Sequence, residues 1–252
     1  MRYAILSDVH GNLPALEAVL EDIERRSDVD ATYHLGDLVG YAPWPNEVVE
    51  LLFARGIAGV AGNYDSTTAT RYAHCGCRSE SPEQEALSHQ SYAWTLDHVS
   101  EATRRRLAGL PFRIDLRPAG GHTAGRKAAL VHGAPTLNTL YWTEDRPDDF
   151  CRQMAARSGL GEGDAILFGH THLPWSREVE GILVVNTGSV GRPKDGDPRA
   201  CYVLLEAPGD ASPATWRVQH VRVPYDVERA ARAVQASELP DAFAAQLREG
   251  RT

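Results

Sequence analysis

The chain is predicted to be an α/β protein, a four-layer α/β/β/α sandwich of two mixed sheets flanked by helices. Three observations predict it. The chain opens strand, helix, strand, helix, strand up to Ala61; it reads mostly as strands from Ala165 to Val223; and it closes with two amphipathic helices. With 252 residues, 42% of them hydrophobic, it can bury a sizeable core as a single domain spanning 1–252.

Arg2 to Ser7 reads as a buried strand and Pro14 to Arg26 as the helix after it. Pro14 suits a first turn, and Leu13, Leu16, Val19, Leu20 and Ile23 recur on one helical face. Ala31 to Leu35 completes a βαβ unit, which makes the first two strands parallel. A helix over Glu47 to Arg55 and a strand over Ile57 to Ala61 follow. Ser66 to Pro82 shows no clear period and reads as a mobile loop, the start of a mobile and helical insertion at about 66–110. Pro82 to Asp97 and Ser100 to Ala108 read as helices, the second with Ser100 as its cap and Arg104 to Arg106 facing solvent. Short strands are expected at Phe112 to Leu116 and Lys127 to Val131, with a turn at Gly120 to Gly125 between them. Thr136 to Pro147, rich in aromatics and turns, either walls a site or covers the core. Strands at Ala165 to Phe168, Trp175 to Val179, Ile182 to Asn186, Ala200 to Glu206 and Thr215 to Val223 are expected to form a second, largely antiparallel sheet. Tyr225 to Arg251 supplies the closing helices, separated near Pro240.

Charge narrows the function classes. Lys plus Arg total 26 against 34 for Asp plus Glu, a net charge of -8, which argues against a broad grip on nucleic acid and for cations offsetting some carboxylates. No apolar run reaches membrane-spanning length, and the short run before Asp8 is no secretory segment, so a cytoplasmic protein is expected. Four cysteines fit a reducing compartment. Cys75-Gly76-Cys77 reads as ordinary loop thiols, with metal binding or redox sensing as the alternative.

The chemistry gathers at strand ends. In ILSDVHGN, Ile5 to Asn12, an apolar strand runs straight into Asp8 and His10, and side chains two apart in an extended segment share a face. A carboxylate and an imidazole converging this way make half of a metal site. YHLGD delivers Asp37 in the same context, GVAGN delivers Asn63, AALVHG delivers His132, and AILFGHTH delivers His170 and His172. One such segment is commonplace, whereas agreement of all five is not accidental. The carboxyl edge of an open α/β sheet is also where ligands bind.

As a set, these blocks resemble the calcineurin-like metallophosphoesterases: DVHGN at 8 to 12, GDLVG at 36 to 40, GNYD at 62 to 65, HG at 132 to 133 and GHTH at 169 to 172. The length, the NTGSVGRPKDGDPRA stretch from Asn186 and the helical C-terminus are similar to the small bacterial phosphodiesterase-type branch. The resemblance implies a hydrolase with two divalent metal ions, one held by Asp8, His10 and His172, the other by Asn63, His132 and His170, with Asp37 bridging. Mixed nitrogen and oxygen ligands suit Mn, Fe, Zn, Co or Ni better than Ca and do not choose among them; manganese is the metal expected first, with Fe, Zn, Ni or Co as alternatives. Two ions about 3.5 to 4 Å apart can share a hydroxide and polarise a phosphoryl oxygen.

The implied reaction is hydrolysis of a small nucleotide or aryl phosphodiester. Alternatives are a phosphomonoesterase or protein phosphatase, a dinucleoside polyphosphate hydrolase, and a non-catalytic scaffold like the retromer subunit that resembles this fold without a complete catalytic set. The departure from the family pattern is Tyr64, which follows Asn63 where many members carry the histidine that protonates the leaving group. A phenol is a weak acid for that task, which favours aryl oxide or phosphate leaving groups or a substitute donor, for which His74 is the candidate. Asp65 is expected either to orient Asn63 or a histidine, or to cap a helix. Asn12 is expected to bind either backbone or phosphate, and Arg71, Arg192 and Lys194 are the cations expected to receive the substrate phosphate. His34 reads as a core histidine with its hydrogen bonds satisfied.

Overall fold

The computed structural model describes residues 1–78, 81–118, 126–207 and 215–251. The turn expected at Gly120 to Gly125 lies outside them. The first sheet is built on β1 (Arg2–Leu6) and β2 (Ala31–His34), which pair in parallel across helix α1 (Leu13–Arg25). After α2 (Pro45–Ala54), the short β3 (Ala58–Gly59) extends the sheet in parallel beside β2. Helices α3 (Asn63–Thr70), α4 (Pro82–His98) and α5 (Glu101–Ala108) lie between β3 and the second sheet in sequence. That sheet has the order β4-β5-β6-β8-β7, from β4 (Ile114–Leu116), β5 (Ala128–Leu130), β6 (Ala165–Phe168), β7 (Trp175–Val179) and β8 (Ile182–Asn186). Helix α6 (Asp148–Arg157) crosses between β5 and β6.

Alternation along the strands makes the layers. In β1, Ala4 and Leu6 face a core shared with α1, α2 and the C-terminal helices, while Tyr3 and Ile5 face the second sheet. In β6, Ala165 and Leu167 meet that same inter-sheet core, and Ile166 and Phe168 turn outward to Cys151, Met154 and Ala155 of α6. Three cores separate four layers, as expected. Truncating a fully buried member such as Leu16 to Ala costs about 2 to 5 kcal/mol.

Two expectations about the second sheet need correction. Strands β9 (Ala200–Glu206) and β10 (Arg217–Val223) return to the first sheet, where β9 pairs antiparallel with β1. The second sheet is mixed rather than largely antiparallel, since β5-β6 and β6-β8 are parallel. The reason lies in β9: Val203 and Leu205 fill the inter-sheet core while Tyr202 and Leu204 fill the outer one. It is a central strand, apolar on both faces, and its composition suits either sheet.

Two helices arise beyond those expected. Asn63–Thr70 is rich in Ser and Thr, weak helix formers, and is started by the Asp65 carboxylate accepting from the Gly62 amide. It occupies the first residues of the stretch expected as a mobile loop. Asp148–Arg157 carries Asp148 and Asp149 in its first turn, where they complement the helix dipole. The C-terminal pair α7 (Val227–Gln235) and α8 (Ala242–Glu249) forms as expected. Among the described residues, no helix is long and apolar enough to cross a membrane.

Candidate metal centre

All seven expected ligands lie beyond carboxyl ends of strands from both sheets and meet in one place. Asp8 and His10 follow β1, Asp37 follows β2, Asn63 opens α3 beyond β3, His132 follows β5, and His170 and His172 follow β6. Each is at most 4% exposed, so none is held in place by solvent. Asp8, His10, Asp37, His170 and His172 have φ between 49° and 65°, the left-handed region that L-residues avoid. Such strain persists only where surrounding contacts over-determine the backbone.

Two triads result, Asp8–His10–His172 and Asp37–His132–His170, each with ligand atoms within 4.8 Å of one another. In the first, His172 Nε2 lies 3.2 Å from Asp8 Oδ1 and 3.2 Å from His10 Nε2. In the second, His132 Nε2 lies 3.0 Å from Asn63 Oδ1, 3.2 Å from His170 Nδ1 and 3.4 Å from Asp37 Oδ2. Asp37 Oδ2 is also 3.7 Å from His10 Nε2, so this one oxygen stands between the triads. Its other oxygen accepts from the Tyr64 amide.

Backbone contacts fix the ring orientations. His10 Nδ1 donates to Val39 O, His132 Nδ1 to Leu35 O and His172 Nδ1 to Arg192 O, at 3.0, 2.8 and 2.6 Å. Each ring therefore turns Nε2 inward, the nitrogen that in the neutral ring carries the lone pair metal ligation requires. Asp8 Oδ2 accepts from the His170 amide, and its Oδ1 is buried with no hydrogen-bond partner. Burial holds the His10 and His170 imidazoles down at about 3 and His172 well below its usual value, so these rings are neutral at pH 7. Burial also raises the Asp8 carboxyl. His132 moves the other way, to about 9, because Asp37 outweighs the effect of burial. An orphaned carboxylate oxygen and facing lone pairs fit divalent cations, which compete with the proton for such ligands.

Close backbone approach sets the remaining geometry. A Cβ at Gly62 would sit 2.1 Å from Asp37 Oδ1, and one at Gly169 2.2 Å from Asp8 Oδ2. Only glycine admits both carboxylates. Asp65 accepts from the Leu38 and Gly62 amides at 2.9 Å each, tying the Asp37 loop to the start of α3, so it caps a helix rather than orienting a ligand side chain. Burial and the neighbouring Asp37 raise its carboxyl to about 7. Asn63 is oriented instead by Cys75 and Cys77: its Nδ2 donates to Cys75 O at 2.9 Å and to Cys77 Sγ at 3.3 Å. A C-x-C pair twelve residues downstream is the trace of this in the sequence.

A cavity of about 300 Å³ opens over the centre. Tyr64 lines it, buried, with its ring edge-on to His10 at 5.4 Å, and burial and then Tyr41 push its phenol well above the usual value. Arg192 and Lys194 also line it. The other expected contacts do not. Asn12 caps α1 by accepting from the Ala15 amide, and its Nδ2 is spent on Gly191 O and the Tyr225 hydroxyl. Arg71 is the exposed C-cap of α3, outside the cavity lining. His74 is exposed against Tyr72 and accepts from the Gly76 amide, so it is no proton donor to this cavity. Tyr41, Tyr141, Leu87, Phe243 and Gln246 are lining residues that no sequence motif marks. Of the 136–147 stretch, Tyr141 walls the cavity and Trp142 is buried in the core, so both expected roles occur.

Two buried triads of metal-ligand type on an α/β/β/α sandwich are what the resemblance to the metallophosphoesterases implies, and sequence comparison agrees. The calcineurin-like phosphoesterase superfamily domain matches residues 1–210, and the chain belongs to that superfamily. An uncharacterised protein of Methanocaldococcus jannaschii is 30% identical over 98% of both chains. Phosphodiesterase YfcE of Escherichia coli is 26% identical over 82% of this chain and 88% of its own, in keeping with the phosphodiesterase-type branch. The crystal structure of a metallophosphoesterase from Sphaerobacter thermophilus superposes with a TM-score of 0.72 at 28% identity, over 99% of each chain.

Proposed function

We propose that this chain is a metal-dependent phosphodiesterase acting on a small nucleotide or aryl phosphodiester, with two divalent transition metal ions, manganese first. The observation that carries the two-metal reading is Asp37 Oδ2, a member of the second triad at 3.4 Å from His132 Nε2 that also stands 3.7 Å from His10 Nε2 of the first. When bound, two such ions supply an activated water and polarise a phosphoryl oxygen. Asp8, His10 and His172 would hold one, and Asn63, His132 and His170 the other.

The chain's own residues shape the substrate preference. Tyr64 stays protonated and is too weak an acid to drive off an alkoxide, which favours an aryl oxide or another good leaving group. Arg192 and Lys194 offer positive charge to the non-bridging oxygens. The cavity volume lies at the low end for ligand sites, which suits a mononucleotide-sized ester better than a dinucleoside polyphosphate.

The test is hydrolysis of bis-p-nitrophenyl phosphate and p-nitrophenyl phosphate side by side, on metal-stripped protein resupplied with Mn, Fe, Co, Ni, Zn or Mg. Faster turnover of the diester, highest with Mn, is expected. Preference for the monoester would move the assignment to a phosphatase, and no turnover with any metal would remove the enzymatic reading.

A further inference from the structure

The match to the superfamily domain covers residues 1–210, yet Phe243 and Gln246 of α8, beyond it, reach the cavity over the ligands. Both touch one residue. The Arg192 guanidinium stacks over the Tyr41 ring at 3.9 Å, lies 5.7 Å from the Phe243 ring centre, and donates from Nη2 to Gln246 Oε1 at 2.7 Å. The Arg192 backbone is equally fixed, its amide donating to Ser189 Oγ at 2.8 Å and its carbonyl accepting from the ligand His172. Tyr41 itself is held at φ 64° with its amide donating to Ser91 Oγ.

We infer that α8 is a substrate-positioning element: Gln246 and Phe243 hold the Arg192 guanidinium, against Tyr41, in place to receive the phosphate. The inference rests on the reading of the cavity as a phosphoester site. Three physical points support it. An arginine carries five donors, and Gln246 takes one of them on a residue that is 9% exposed and lines the cavity. Ordering a free arginine on binding costs about 0.5 to 1.5 kcal/mol, a cost that a pre-stacked guanidinium does not incur. The anchor is neutral, so it fixes the cation without cancelling its charge, where a glutamate at the same place would form an ion pair and compete with an anionic ligand. Gln246 acts through Arg192 and is a positioning residue.

The test is calorimetric titration of inorganic phosphate into the metal-loaded full chain, for the wild type, Gln246→Ala, Gln246→Glu, Arg192→Ala and the Arg192→Ala/Gln246→Ala pair, with bound metal measured in each. Gln246→Ala should weaken phosphate binding about threefold to tenfold, the loss of that pre-ordering, with bound metal unchanged. Gln246→Glu, which keeps size and acceptor, should weaken it at least as much. In the Arg192→Ala background, Gln246→Ala should add nothing, because its target is gone. Wild-type affinity in both Gln246 variants, multiplying effects of the two sites, or no phosphate binding to the wild type would each overturn the inference. Since this readout needs no turnover, absent diester hydrolysis with these shifts intact would count against the proposed reaction and not against the positioning role.

Discussion

The Nε2 atoms of His10 and His172 face each other at 3.2 Å, while each ring donates its Nδ1 proton to a backbone carbonyl. Two lone pairs in buried surroundings repel unless a cation stands between them. Metal binding to the folded chain should therefore raise stability by RT ln(1 + [L]/Kd), about 2.7 kcal/mol at a hundredfold excess over Kd. Chelation should lower Tm and resupply of Mn should restore it, by differential scanning calorimetry. An unchanged Tm on complete metal removal would contradict this.

Tyr64 gives the second prediction. With its phenol well above the usual value, it walls the cavity and does not supply a proton. Tyr64→Phe should keep aryl diester turnover within about threefold, well short of the 100-fold or more that loss of a general acid costs. Tyr64→His should raise turnover most on alkyl esters. A 100-fold loss in the Phe variant would make the phenol a participant.

Asp65 gives the third. Its two oxygens satisfy the buried Leu38 and Gly62 amides, which join the Asp37 loop to α3. Asp65→Ala leaves two amides unpaired, and urea unfolding should show a loss of about 2 to 4 kcal/mol together with weaker metal binding. Loss of activity at wild-type stability and metal content would instead place Asp65 in the chemistry.

His34 gives a pH dependence. It is buried, and contrary to the sequence expectation neither ring nitrogen has a hydrogen-bond partner. Burial holds it at about 4, against about 6.5 unfolded. Between those values the unfolded chain binds more protons, so the contribution is complete above pH 6.5 and is lost as pH falls towards 4, by about 3 kcal/mol in all. Unfolding of metal-stripped wild type and His34→Leu should show the variant gaining on the wild type as pH falls. Parallel stability curves would show that His34 titrates normally.

The ligands were legible because each is local: an apolar strand, a turn, and a donor within a few residues, as with Leu6, Asp8 and His10. What surrounds them was not, because it is assembled from afar. Gln246 meets Arg192 across 54 residues, and Asn12 meets Tyr225 across 213. Asn12 and Asp65 stand inside motifs yet do architectural work, since the same carboxamide or carboxylate that could bind phosphate also caps helices. The layers were readable from alternation in β1, while the sheet to which β9 belongs was not, because a strand apolar on both faces carries no mark of its partner.

The most direct measurement is metal content per chain by inductively coupled plasma mass spectrometry, after Mn reconstitution, for wild type and Asp37→Asn. Two ions in the wild type are expected. The variant, lacking the carboxylate between the triads, should hold fewer, and should lose more than about 100-fold in turnover, since disturbing even a residue behind a ligand costs up to that much. One ion in the wild type, or two ions and full turnover in the variant, would contradict a shared two-metal centre.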